Sequence, residues 1–197
     1  SFGEYLKQHI FIPLGIGNTG FTMTKQQKDR LSTLYVQEPG TMSNKAIRAD
    51  NTFCLSANYE SGGAGLFSVA SDYLLFAEAM SHGGVARTGN QILKPETIDL
   101  LRTDQMDDIC RKDFDAIGRA GYSYGLGVRT MANPKGGNSE SPVGEFGWDG
   151  AAGSYVLMDP ENHLAIVYMQ HVHGCSYAYS DIHPSLRNQT YRAIFNR

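Results

Sequence analysis

A serine flanked by glycines, Gly121-Tyr122-Ser123-Tyr124-Gly125, has the spacing of a nucleophile elbow. That motif works as a strand-to-helix turn, which lifts the serine hydroxyl toward a histidine. Here a loop precedes the motif and strand-forming residues follow it, so Ser123 reads as a plain strand entry. An independent hydrolase built on Ser123 would need a histidine within hydrogen-bond reach of its hydroxyl. Further on, His171-x-His173-x-Cys175 puts three metal-ligating side chains on alternate residues, which point the same way along an extended chain, and His183 offers a fourth. Structural zinc sites pair two such clusters and nothing upstream repeats this one, so the residues read as polar groups beyond a strand end and no metal is expected. The near carboxylate pairs, Asp107-Asp108 and Glu145/Asp149, read as a solvated face or a capped turn. Lys25, Lys28 and Arg30 read as surface. The phosphate loop, the dinucleotide fingerprint and the zinc-protease helix are all missing, so no cofactor is implied. Asn188-Gln189-Thr190 is a formal glycosylation sequon inside an amphipathic helix pattern, which discounts it.

The stretch around which the rest is arranged runs from Gly144 to Tyr155, with four glycines in twelve residues. Such a density is ruinous for a helix and awkward for a strand. Two strand patterns follow it, Ser154 to Asp159 and His163 to Gln170, joined by Asp159-Pro160-Glu161-Asn162, which has the composition of a tight hairpin turn. A glycine-rich strand end leading into a hairpin either admits a ligand or packs closely against a neighbour.

Ser1 and Glu4 have capping-box spacing before a short helix over residues 2–10, ended by Pro13. Thr24 caps a polar helical segment, Leu31 to Val36 is a short strand, and residues 37–65 are mostly loop, with Thr52 to Ala57 undecided. Ser71 caps a helix over about 71–81 that closes on His82-Gly83-Gly84, and Pro95 opens one over about 95–105. Residues 107–120 are ambiguous. Strands fall near 124–131, 144–149, 153–159 and 163–170, and a last helix over 184–196 carries Leu186, Thr190, Tyr191, Ile194 and Phe195 on one stripe. The expected fold class is α+β: a mainly helical subdomain over 1–120, then an antiparallel sheet over 121–197 covered by the terminal helix.

The 197 residues are enough to bury a core, with 41% hydrophobic and 19% charged content of globular type. A net charge of −3 argues against a nucleic-acid partner. No apolar run reaches membrane-spanning length, and no leader pattern opens the chain. Three scattered cysteines, Cys54, Cys110 and Cys175, make no disulfide framework and favour a reducing compartment.

The order of these signals resembles the serine β-lactamase/penicillin-binding-protein superfamily, on the class C branch that also holds esterases. The matching stretches are Phe11-Ile12-Pro13-Leu14-Gly15 through Asn18-Thr19-Gly20-Phe21, Gly65-Leu66-Phe67-Ser68-Val69-Ala70-Ser71-Asp72-Tyr73, Tyr124-Gly125-Leu126-Gly127, and the glycine strand with its hairpin. Together they cover nearly the whole chain. The resemblance implies acyl transfer, in which a serine attacks a carbonyl, a lysine and a tyrosine move protons and backbone N–H groups hold the oxyanion. This chain contains neither Ser-x-x-Lys nor Tyr-x-Asn, which in the family lie upstream of the matched region. Its Lys/His-Thr-Gly position is best matched by Trp148-Asp149-Gly150, and some esterase-like members carry tryptophan there. The resemblance then makes the Ala151 N–H the strand's oxyanion donor, with Trp148, Asp149, Gly150, Tyr122 and Tyr124 as substrate contacts. It also implies an N-terminal half whose strands would cover the edge at 163–170; without it that edge invites self-association. The alternative is a non-catalytic module that keeps the pocket wall to bind a ligand or a protein.

Overall fold

The structure, a computed structural model, describes residues 1–47 and 59–195. Thr52 to Ala57, Cys54 and the last residue of the expected terminal helix lie outside the described residues. Ser1 caps α1 (Phe2–Leu6) by accepting from the Glu4 N–H. The helix does not stop before Pro13. It passes through a π-turn, Lys7–Phe11, into α2 (Ile12–Leu14) and ends at Gly15. The π-turn loosens the ladder just ahead of Pro13, which then sits in a fresh first turn where its missing N–H costs little. Thr24 caps α3 (Lys25–Asp29) in a full capping box with Gln27. The strands β1 (Leu34–Gln37) and β2 (Asn44–Ile47) pair antiparallel.

The helix α4 (Ala70–Ser81) starts one residue before Ser71, after the extended Val69. Its first turn is tied by Asp72, which accepts from the Asn18 N–H at 2.6 Å and the Thr19 hydroxyl at 3.1 Å. Gly20 and Phe67 exchange both backbone bonds, so the Asn18–Phe21 and Gly65–Tyr73 segments meet in space. Pro95 opens α5 (Pro95–Arg102), and the ambiguous region forms α6 (Asp108–Ala116), capped by Asp107 accepting from the Ile109 and Cys110 N–H groups.

The main sheet is antiparallel, in the order β3 (Tyr122–Tyr124), β4 (Arg129–Met131), β5 (Phe146–Asp149), β6 (Tyr155–Asp159), β7 (Leu164–Tyr168). The single strand expected near 124–131 is two strands of a hairpin, with Tyr122 opposite Met131 and Tyr124 opposite Arg129. The turn between them needs a left-handed residue, and Gly127 supplies it at φ 83°. The β6–β7 turn is held by Asp159, whose carboxylate accepts from the Glu161 and Asn162 N–H groups. Alternation sorts the two faces. Phe146, Val156 and Met158 pack with Ala77, Met80 and Ile98 under α4 and α5. Tyr155, Leu157 and Ile166 pack with Tyr191 under α7 (His183–Phe195), which follows a π-turn at Ala178–Ile182. The fold is α+β, with helices on both faces and the terminal helix on one. A short β8 (Val172–His173) leaves the main sheet and pairs parallel with β1.

Candidate functional site

The expected substrate strand, Trp148-Asp149-Gly150, ends β5. Trp148 lies opposite Val156 and Asp149 opposite Tyr155, so the pleat sends their side chains to opposite faces. Trp148 lines an open groove of about 880 Å³ on the α4 side. The residue is 39% exposed. Asp149 turns the other way, and its side chain is only 2% exposed. It does not present a carboxylate to the groove; it belongs to a charged layer beneath the strand.

That layer is centred on Arg129, 1% exposed. Arg129 reaches Asp149 at 3.2 Å, Glu145 at 3.5 Å and the Val156 carbonyl at 3.0 Å, and its guanidinium lies over the rings of Tyr122 and Tyr155. Burial opposes the Arg129 charge, but Tyr155, Tyr122, Glu145 and Asp149 outweigh it and hold the group above its ordinary value. Arg119 closes the outer side of Asp149 and lies over the Trp148 ring. Glu145 accepts from the hydroxyls of Tyr122 and Ser141. The expectation of a solvated or capping Glu145 is thus corrected: it is fully buried, because Arg129 supplies a counter-charge that sequence position does not reveal. Burial pushes its carboxyl above the usual range.

The turn after β5 is pinned on every carbonyl. The Tyr179 hydroxyl donates to the Gly150 carbonyl at 2.8 Å, and the Val172 N–H to that of Ala152 at 2.9 Å. His173 Nδ1 lies 3.3 Å from the Ala151 carbonyl, and His183 Nε2 lies 2.8 Å from that of Gly153. The Ala151 N–H has no acceptor among the described residues. One segment, 172–183, therefore fixes a turn that leaves that N–H available. His183 is buried, and burial lowers its pKa, offset in part by the Gly153 carbonyl and Asp149, with Arg129 and Arg119 acting in the same sense as burial. A histidine lowered in the folded state charges first when unfolded, near pH 6.5. Stability should then fall as pH drops below that value. Urea midpoints followed from about pH 7 down to about pH 5.5 should show this fall, and His183→Gln should flatten it.

The opposite wall of the groove comes from distant sequence, including Arg30, Leu31, Ser32, Phe67, Val69 and Tyr73. Ser32 Oγ lies 2.8 Å from His171 Nδ1 across 139 residues, a serine–histidine contact facing the groove that no local pattern announces. The strand β7 borders the groove and pairs only with β6 among the described residues.

Residues 1–175 match the Beta-lactamase family model. The chain belongs to the Beta-lactamase family. It is 27% identical over 177 residues to Protein Rv1367c of Mycobacterium tuberculosis, covering 84% of this chain and 42% of that protein. Among solved structures it is similar to a mutant of Simvastatin Synthase (LovD) from Aspergillus terreus, with TM-score 0.83, 19% identity, all of this chain and 51% of that one. It is also similar to EstCE1, described as a hydrolase with promiscuous acyltransferase activity, with TM-score 0.76, 22% identity, 96% of this chain and 50% of that one. The chain thus spans about half the length of the Beta-lactamase family relatives it matches.

The other expected residues, Tyr122 and Tyr124, sit two apart on β3 and differ in burial. Tyr124 is exposed and meets Trp148 at 5.4 Å between ring centroids. Tyr122 is buried, its hydroxyl held between Glu145 and Arg187 in the charged layer. Ser123 is fully buried on β3 and donates to Asp104. Burial opposes the Asp104 charge, but Ser123 and Arg111 hold its carboxyl below the ordinary range, which makes it a poor base for that hydroxyl. His171, His173 and His183 each serve a different backbone or side-chain partner, and no group of three metal-ligating side chains gathers among the described residues. Cys110 and Cys175 are free thiols. No helix among the described residues is long and apolar enough to cross a membrane.

Proposed function

We propose that this chain is the C-terminal portion of a serine acyl-transfer enzyme acting on an ester, amide or lactam, and that it supplies one wall of the site. The observation that carries this is the end of β5, where Trp148 and Gly150 line the groove and lead into the pinned 150–153 turn, whose Ala151 N–H has no acceptor among the described residues. An N–H fixed in this way is suited to an oxyanion. Gly150 and Trp148 line the same side, with Tyr124 against the tryptophan ring. The tryptophan matches what some esterase-like members carry at this position, and EstCE1 is described as a hydrolase with promiscuous acyltransferase activity. One oxyanion donor contributes about 10²–10³ in rate, whereas a nucleophile unit contributes about 10⁶. With neither Ser-x-x-Lys nor Tyr-x-Asn in the chain, it is inactive alone, and the nucleophile comes from sequence beyond it.

Intact-mass spectrometry after exposure to a fluorophosphonate and, separately, a β-lactam tests the reading. The chain alone should take no adduct, and the chain joined to the coding sequence upstream of Ser1 should take one. A stoichiometric adduct on the isolated chain, at Ser32 or elsewhere, would sink it. The exposed Trp148 and Tyr124 favour a second reading, a binding module on the same scaffold. An upstream reading frame with no Ser-x-x-Lys would select that second reading. In either case the open β7 edge takes up an N-terminal half or a second copy through 163–170.

A further inference from the structure

Three rings from three elements stand in a row that begins at the groove wall with Trp148. Phe114 on α6 meets Tyr124 on β3 edge-on, at 6.2 Å and 74°. Tyr124 meets Trp148 on β5 in the same way, at 5.4 Å and 80°. Register places them at one end of the sheet: Tyr124 lies opposite Arg129, and Arg129 lies opposite Gly147, next to Trp148. The β3–β4 turn carries Leu126, exposed, at that same end. Apolar ring area left in water forgoes the free energy of its burial, so an exposed ring gains by being covered. Here Tyr124 and Trp148 stay exposed.

The charges around the row define what it can hold. Arg119, over the Trp148 ring, is paired with Asp149, and Arg111 is paired with Asp104. The other charged residues of α6 are Asp108, Lys112, Asp113 and Asp115, three acids against one lysine. A carboxylate or phosphate therefore meets a helix whose single remaining lysine is outnumbered by acids. A flat neutral ring finds aromatic edges and faces already ordered, at low entropy cost.

We propose that Phe114, Tyr124 and Trp148 form a selectivity shelf for the aryl group of a neutral carboxylic ester. This rests on the reading of the groove as half of an acyl-transfer site, and it names the substrate class of that site. Phe114 and Tyr124 determine specificity; they take no part in bond making.

Trp148 is the chain's only tryptophan, so its fluorescence reports on the shelf directly. The chain is titrated with methyl benzoate, methyl hexanoate and sodium benzoate. The expected result is a saturable change with methyl benzoate, and binding of methyl hexanoate and benzoate weaker by roughly three- to tenfold. Phe114→Leu, at a half-exposed site where folding is checked by circular dichroism, should weaken methyl benzoate by a similar factor and leave methyl hexanoate unchanged. Equal binding of all three probes, tightest binding of benzoate, no saturable change with any, or an unaffected Phe114→Leu would each overturn the shelf. Binding needs no reaction. A working shelf with no fluorophosphonate adduct in the joined protein would sink the acyl-transfer reading alone, and an adduct without aryl preference would sink the shelf alone.

Discussion

Arg129→Met should lower the unfolding free energy by about 3–5 kcal/mol, seen as a reduced urea midpoint at an unchanged slope. Methionine can fill much of the space, but it cannot answer the two carboxylates that Arg129 holds out of water, Glu145 and Asp149. Breaking a buried pair from one side leaves an uncompensated charge, which costs more than the pair contributes when whole. The two carboxylates will not suffer equally. Asp149 retains Arg119, whereas Glu145 retains only the hydroxyls of Tyr122 and Ser141 and the more distant Arg187 charge. Burial already pushes the Glu145 carboxyl upward, and loss of Arg129 removes the largest influence that lowers it, so the charged form becomes costlier. Adding Glu145→Gln to Arg129→Met should therefore recover part of the loss. A midpoint equal to that of the parent chain would show that this layer does not stabilise the fold. Against a typical total of about 5–15 kcal/mol, the single variant takes a large share.

Gly147→Ala is the second. A Cβ at 147 would stand 2.1 Å from the Val156 carbonyl oxygen, 2.9 Å from its carbon and 3.3 Å from Leu157 Cα. All three are backbone atoms of the neighbouring strand, so no side chain can swing aside. The methyl must push β5 from β6 in the middle of the sheet, where Trp148 and the 150–153 turn take their position. A cost of about 3 kcal/mol or more is expected, at the upper end of overpacking. Gly63→Ala is the control: nothing lies within 4 Å of where its methyl would stand and its φ is ordinary, so its melting temperature should stay close to the parent's. A Gly147→Ala melt matching that of Gly63→Ala would mean that the strands have slack the packing does not show.

Much of this architecture is written locally. The Thr24–Gln27 box, Pro95 at a helix start and the Asp159 turn are short-range devices, and each is where its chemistry says it should be. The segments that carried the family resemblance are also those that bond to one another, Gly20 to Phe67, which explains why their spacing is informative. What stayed hidden depends on partners far along the chain. Glu145 looks like any surface acid until Arg129 and Arg187 are placed against it. Ser32 and His171 have nothing in their neighbourhoods to link them. Other misses were legible. Gly127 inside an apparent strand is a standard mark of a break, and it broke the strand into a hairpin. Period-two alternation alone separates Trp148 from Asp149, which cannot both face one ligand.

The parallel contact of β1 with β8 has a consequence for how the molecule is made. Tyr35 lies beside Val172, and Ser32 beside His171, 139 residues apart. The entropy of closing so long a loop must be met before the short strand pair returns anything. Helices and hairpins, whose partners are neighbours in sequence, form first, and pairings of high contact order come late. During synthesis β1 leaves the ribosome with no parallel partner and waits until nearly the whole chain has followed it. The part of the far wall that carries Leu31 and Ser32 is therefore among the late pieces to close, and for that interval it is open to whatever else the nascent chain meets.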